Sequence, residues 1–192
     1  MGLAIGTRPD CIDREKLRLI ETYTATHMVW IEYGLQSAAD RTLRLINRGH
    51  GREDFVEAVR LTQRRQILIC AHVIVGLPGE SIHDIIRTAQ LLADLRVDAV
   101  KIHNLYIEAD APLAELYKSG RCTLLSRERY VDWVTYFLEY LHPQTIIQRL
   151  TGDPDPESLL GPLWTLEKGR TLTMINQRLE DRHTFQGNRY DG

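Results

Sequence analysis

The sequence predicts an α/β fold, a parallel sheet wound with helices into a partial (β/α) barrel and followed by a C-terminal helical extension. Three observations carry this. Short β-branched runs alternate with amphipathic stretches of helical length, the pattern of βαβ units. One run, Ile67 to Val75 (ILICAHVIV), is nearly continuous apolar, as a strand buried on both faces of a parallel sheet must be. The balance of 43% apolar and 26% charged residues is that of an ordinary globular chain with a real core.

The elements follow in order. Leu3 to Thr7 is a short apolar strand, and Lys16 to Thr26 a helix with Leu17, Ile20 and Tyr23 on one face. Met28 to Tyr33 (MVWIEY) is a strand that stops at Gly34. Arg41 to Ile46 is a short helix and Asp54 to Arg64 a longer one. After the Ile67–Val75 strand, GLPGE breaks the pattern, and Ser81 opens a helix in which Ser81 and Asp84 fit the S-x-x-[DE] capping box. Ala99 to Leu105 is a strand, Arg127 to Leu141 a helix after Ser126, and Thr145 to Leu150 the last strand. DPDPES, 153 to 158, is a loop because its prolines block helix and sheet continuation. A final helix over 166–182 precedes a polar tail expected to fray. The expected division is 1–152 for the barrel portion and 153–192 for the extension.

Five strands in 192 residues fall short of a full (β/α)8 barrel, which takes about 250. The chain therefore reads as a barrel missing its first βα units. A small complete α/β domain with a short edge strand fits the pattern equally well.

Several function classes lose support at once. The net charge is −2, so bulk charge gives nucleic acid no support, although a local patch on RNA stays open. MGLAIGTRPDC has no basic n-region and long apolar h-region, and no run of about 18 apolar residues occurs. The expectation is a cytoplasmic protein with no membrane partner. Cys11, Cys70 and Cys122 are odd in number and widely spaced, against both a disulfide framework and a local metal site.

Four motifs fall at the C-terminal ends of strands, where parallel sheets bind ligands. HVIVGLPGES (72–81) ends a buried strand at Gly76 and turns through Leu77, Pro78 and Gly79 into a helix N-terminus. A simple βα turn explains GLPG by itself. EYGLQS (32–37) places Gln36, a donor and acceptor, at a second strand end, and INRGH (46–50) offers Arg48 for two-pronged binding of a carboxylate. IGTRPDC (5–11) puts Arg8 at a third. His72, Lys101, His103 and Arg149 are polar residues inside strands, placed to point into a barrel lumen. The plain alternatives are solvated loop residues and satisfied core histidines.

The order GTRPD, GLQS, NRGH and GLPGE, with KIHNLY, PLAELY, RLTGD and the PLW stretch near Trp164, resembles radical S-adenosylmethionine (SAM) enzymes of the YhcC type. These are related to the oxygen-independent coproporphyrinogen dehydrogenase and the Elongator catalytic subunit. The resemblance covers residues 2 to about 182. It implies a barrel that holds a [4Fe–4S] cluster and SAM, whose cleavage yields a 5′-deoxyadenosyl radical. It implies that Gln36, Arg48, Gly76, Pro78 and His72 contact SAM, with His72 standing where relatives carry an Asp. Arg8, Lys101 and His103 are implied as substrate-pocket residues, and no residue as a metal ligand. The family's cluster cysteines precede the segment GLAIGTRPD, so the chain as given is expected to lack them, to need a missing N-terminal half, and to be inactive alone. A non-catalytic SAM-binding or scaffold remnant, and an RNA-modifying radical SAM enzyme, are the alternatives. The substrate is unknown.

Overall fold

A computed structural model describes residues 1–191. Five parallel strands make one sheet in sequential order, β1 (Gly2–Thr7), β2 (Met28–Gln36), β3 (Leu68–Val75), β4 (Ala99–Asn104) and β6 (Ile146–Arg149). Between them run α1 (Arg14–Glu21), α2 (Asp40–Leu45), α3 (Arg52–Thr62), α4 (Ile82–Asp94) and α6 (Arg127–Tyr140). A second, two-stranded antiparallel sheet pairs β5 (Ile107–Glu108) with β7 (Leu159–Gly161), and α5 (Ala114–Lys118) and α7 (Lys168–Asp181) complete the fold.

The alternation of side chains along each strand divides the sheet into two faces. Val29, Ile31, Tyr33 and Leu35 of β2, Ile69, Ala71 and Val73 of β3, and Val100 and Ile102 of β4 are buried in one core. Leu17 of α1, Phe55 and Val59 of α3, Leu92 of α4 and Phe137 of α6 fill the same core. The opposite face is half-open. Gly2, Ala4 and Gly6 of β1 are exposed, and Met28 and Ile146 are 61% and 54% exposed. A barrel lumen is such a face, and here it carries the polar side chains.

The structure corrects several expectations. The first helix ends at Glu21, not Thr26, because threonine hydroxyls bond back to helix carbonyls: Thr22 to Leu19 at 2.7 Å and Thr24 to Glu21 at 2.9 Å. β2 runs through Gly34 to Gln36, with a register irregularity against β3 between those two residues. The Asp84 side of the capping box forms, its carboxylate accepting from the Ser81 N–H at 2.8 Å and hydroxyl at 2.7 Å. Arg41 and Arg87 also donate to Asp84. These bonds outweigh burial and hold its carboxyl far below the usual range. The β5–β7 pair and α5 are too short to show a period. The tail expected to fray is bound: the Gly187 and Arg189 N–H groups donate to the Leu138 and Glu139 carbonyls at 2.9 and 2.8 Å. They cap the last turn of α6, where the Leu138 carbonyl also accepts from the Leu141 N–H at 3.2 Å.

Candidate functional site

The open face is organised around Glu32, a carboxylate inside β2. His72 Nε2 lies 2.8 Å and Lys101 Nζ 2.5 Å from the same oxygen, Oε2. Register explains the meeting, since Gly34, His72, Lys101 and Arg149 are successive partners across four strands. Burial pushes the Glu32 carboxyl up, but the bonds from Lys101 and His72 prevail and hold it below its ordinary value. Burial pulls the His72 imidazole down, with Glu32 pulling it partly back. His103 stacks on His72 with ring centroids 5.8 Å apart. Burial and the charges of Arg149, His72 and Lys101 push the His103 imidazole down to about 4. Both rings are thus shifted toward the neutral form, and His103 Nε2 is buried without a partner.

Above this cluster, Gln36, His72, Ile74, His103, Asn104, Leu105 and Tyr106 line a cleft of about 270 Å³. Three residues singled out from the sequence, Gln36, His72 and His103, thus meet in one place. Gln36 has φ of 69°, a left-handed conformation at the strand's irregular end. Asn104 is buried and ties the cleft to the RLTGD turn, accepting from the Gly152 N–H at 2.9 Å and donating to Thr165 Oγ1 at 2.8 Å.

Arg48 reaches the same strand end. It donates to the Gly34 carbonyl at 3.2 Å and to His50 Nε2 at 3.1 Å. Gly34 allows a close approach, because a Cβ there would meet the Arg48 guanidinium and lie 2.8 Å from Gln36 Nε2, so both side chains would have to shift. Gly34 thus makes room for Arg48 instead of stopping the strand. Burial and neighbouring Arg8 lower the Arg48 pKa, and among the described residues Arg48 has no carboxylate partner. Arg8 pairs with Asp10 and packs against Gly49, so its charge is already answered.

Gly76 has φ of +98°, and a Cβ there would meet Leu125 Cδ1 at 3.0 Å. The GLPGE turn is thus covered by Leu125. Pro78 is half-buried and is not among the cleft's lining residues. The turn's Glu80 accepts the Ser37 hydroxyl and so fastens this turn to the end of β2.

The three cysteines stand in different settings. Cys11 is exposed after β1, Cys70 is buried in β3, and Cys122 follows α5. Burial and the Glu32 charge push the Cys70 thiol up to about 12, the reverse of what an iron-binding thiolate needs. Among the described residues no group of three or more His, Cys, Asp or Glu is arranged to hold a metal ion. Nor is any helix among them long and apolar enough to cross a membrane.

Sequence reasoning missed Glu32, Asn104 and Tyr106. Glu32 carried a usable signal, being a charge inside an otherwise apolar strand. Asn104 and Tyr106 read as strand end and loop.

A parallel sheet wound with helices, with polar residues gathered on its open face, is an open (β/α) barrel architecture. The Radical SAM superfamily model matches residues 1–92, and the Radical_SAM C-terminal domain model residues 97–181. The chain belongs to the radical SAM superfamily. It is 40% identical over 99% of its length to an uncharacterized protein of Methanocaldococcus jannaschii, covering 60% of that protein. It is 32% identical over 97% of its length to the protein YhcC of Escherichia coli, again covering 60%. Among solved structures, an archaeal Methanocaldococcus infernus Elp3 lacking its N-terminus superposes with a TM-score of 0.81 at 21% identity, over 96% of this chain and 43% of that one. The chain thus spans about 60% of the length of these two curated relatives.

Proposed function

We propose that this chain forms the SAM-binding side of a radical SAM enzyme whose cluster ligands lie outside its 192 residues. The observation that carries the reading is Arg48, a half-buried cation without a carboxylate partner, held beside Gln36 at a strand's C-terminal end. A guanidinium so placed is ready to take a carboxylate in two hydrogen bonds. In this family SAM supplies, when bound, the carbon radical that abstracts hydrogen from substrate. Arg48 holds the SAM carboxylate, Gln36 meets its ribose or amino-acid polar groups, and the Gly76 turn shapes the adenine side. His72, held by Glu32, keeps an imidazole on the cleft wall, and Lys101 and His103 face the substrate. The cysteines of this chain do not suit the cluster, so by itself it is a binding unit and not an active enzyme.

The test uses a full-length relative that carries the close cysteine cluster. Arg48→Ala should weaken SAM binding about 10- to 100-fold, the loss of about 1.5–3 kcal/mol for charge-assisted hydrogen bonds. Exposed Arg44→Ala should leave it unchanged. Equal SAM affinity in the Arg48 variant and its parent would remove the reading.

A further inference from the structure

We propose that Lys101 and Arg149 form a binding site for an oxyanion, a carboxylate or phosphate group carried by the substrate. This deepens the SAM-binding reading and rests on it for the word substrate, but the site itself stands on separate residues.

The two cations are register partners on adjacent strands, β4 and β6, on the open face. Parallel strands lie about 4.8 Å apart and the register shifts between Val100 and Lys101, so the two cations are neighbours across the strands, with Lys101 also paired to Glu32. The acids nearby are already committed. Glu32 receives both Lys101 and His72, and Asp153, the acid whose field reaches Arg149, pairs with Lys168. Arg149 is exposed and makes no ion pair among the described residues. Without counting either imidazole, Lys101 and Arg149 against the single Glu32 leave one excess positive charge. That excess sits beside the cleft that His72 and His103 line. The arrangement suits an anionic group of −1 or −2.

The site is distinct from the one assigned to the SAM carboxylate. Arg48 bonds the β2 end at Gly34, whereas Arg149 is three strands further along the sheet. Two cationic positions along one sheet fit a charged cosubstrate on one side and an anionic substrate on the other.

His103 is the natural reporter, because an anion between Lys101 and Arg149 cancels the field that both impose on its ring. The experiment is an NMR titration of the His103 ring resonance in the full chain, assigned with His103→Gln. Inorganic phosphate and succinate are added separately, with chloride at matched ionic strength as control. The expected result is a saturable shift with one or both anions and an upward move in the His103 pKa. In Arg149→Gln the apparent Kd should rise at least tenfold. Arg149 is exposed, so that variant keeps the fold. Saturation by phosphate alone assigns a phosphorylated substrate, and by succinate alone a carboxylic acid. A response no larger than that of chloride, or one unchanged in Arg149→Gln, overturns the proposal. Failure of the SAM reading shows instead as unchanged SAM affinity in the Arg48 variant, which leaves this titration untouched.

Discussion

Glu80→Gln tests the buried carboxyl that fastens the GLPGE turn to the end of β2. One oxygen accepts the Ser37 hydroxyl, while the other, Oε2, and the Thr42 hydroxyl are buried without partners. Burial is the largest influence and pushes the carboxyl up from 4.5 to about 7, with Asp84 adding to it and Ser37, Thr42 and Arg41 opposing. Between those two values the folded chain holds a proton that the unfolded chain has released. Stability therefore falls as pH rises through this window, and the full cost is present above pH 7. At ~1.36 kcal/mol per pH unit the window corresponds to about 3 kcal/mol, of which about 2.5 accrues between pH 5 and pH 8. Glutamine is neutral, keeps a carbonyl oxygen for Ser37 and supplies an N–H for Thr42. Urea unfolding of parent and variant at the two pH values is the assay. The variant's advantage should grow by about 2.5 kcal/mol from pH 5 to pH 8. A difference that stays constant would refute the assignment of a neutral, buried Glu80.

The remaining predictions concern the turn and the thiols. Gly76→Ala forces a side chain into a φ of +98° against Leu125 and should cost about 1–3 kcal/mol, read as a fall in Tm. A loss under ~0.5 kcal/mol would mean that the turn relaxes freely. In the native chain iodoacetamide should label exposed Cys11 and spare Cys70, whose thiol lies near 12; equal labelling rates, read by mass spectrometry, would contradict this burial. Anaerobic reconstitution of the chain should give no stoichiometric [4Fe–4S] cluster, and about four irons per chain would contradict the assignment of its ligands elsewhere.

The strands and helices that position the site were legible because their patterns are local. The apolar run at 67–75, the 3.6-residue period of 82–94 and the glycines of GLPGE each act within one element. Motif order was enough to place the chain in its family. Gln36, His72 and His103 were singled out from the sequence as polar residues in or at the end of strands, and the fold places all three on one cleft. Their partners could not be named in advance. Glu32 joins His72 and Lys101, which lie 40 and 69 residues away in the chain, and this depends on the register of three strands.

The same limit applies to Gly34, which from sequence reads as a stop signal. In the fold it is the gap that admits Arg48. The tail reads as polar and free, yet it caps the end of α6. By itself the sequence determined the alternating elements, the family and the polar residues gathered at strand ends, because propensity and periodicity act over a few residues. Tertiary structure alone decided which charges are answered and which are left open. Ion pairing, desolvation and close approach depend on distances between strands, and packing sets those distances.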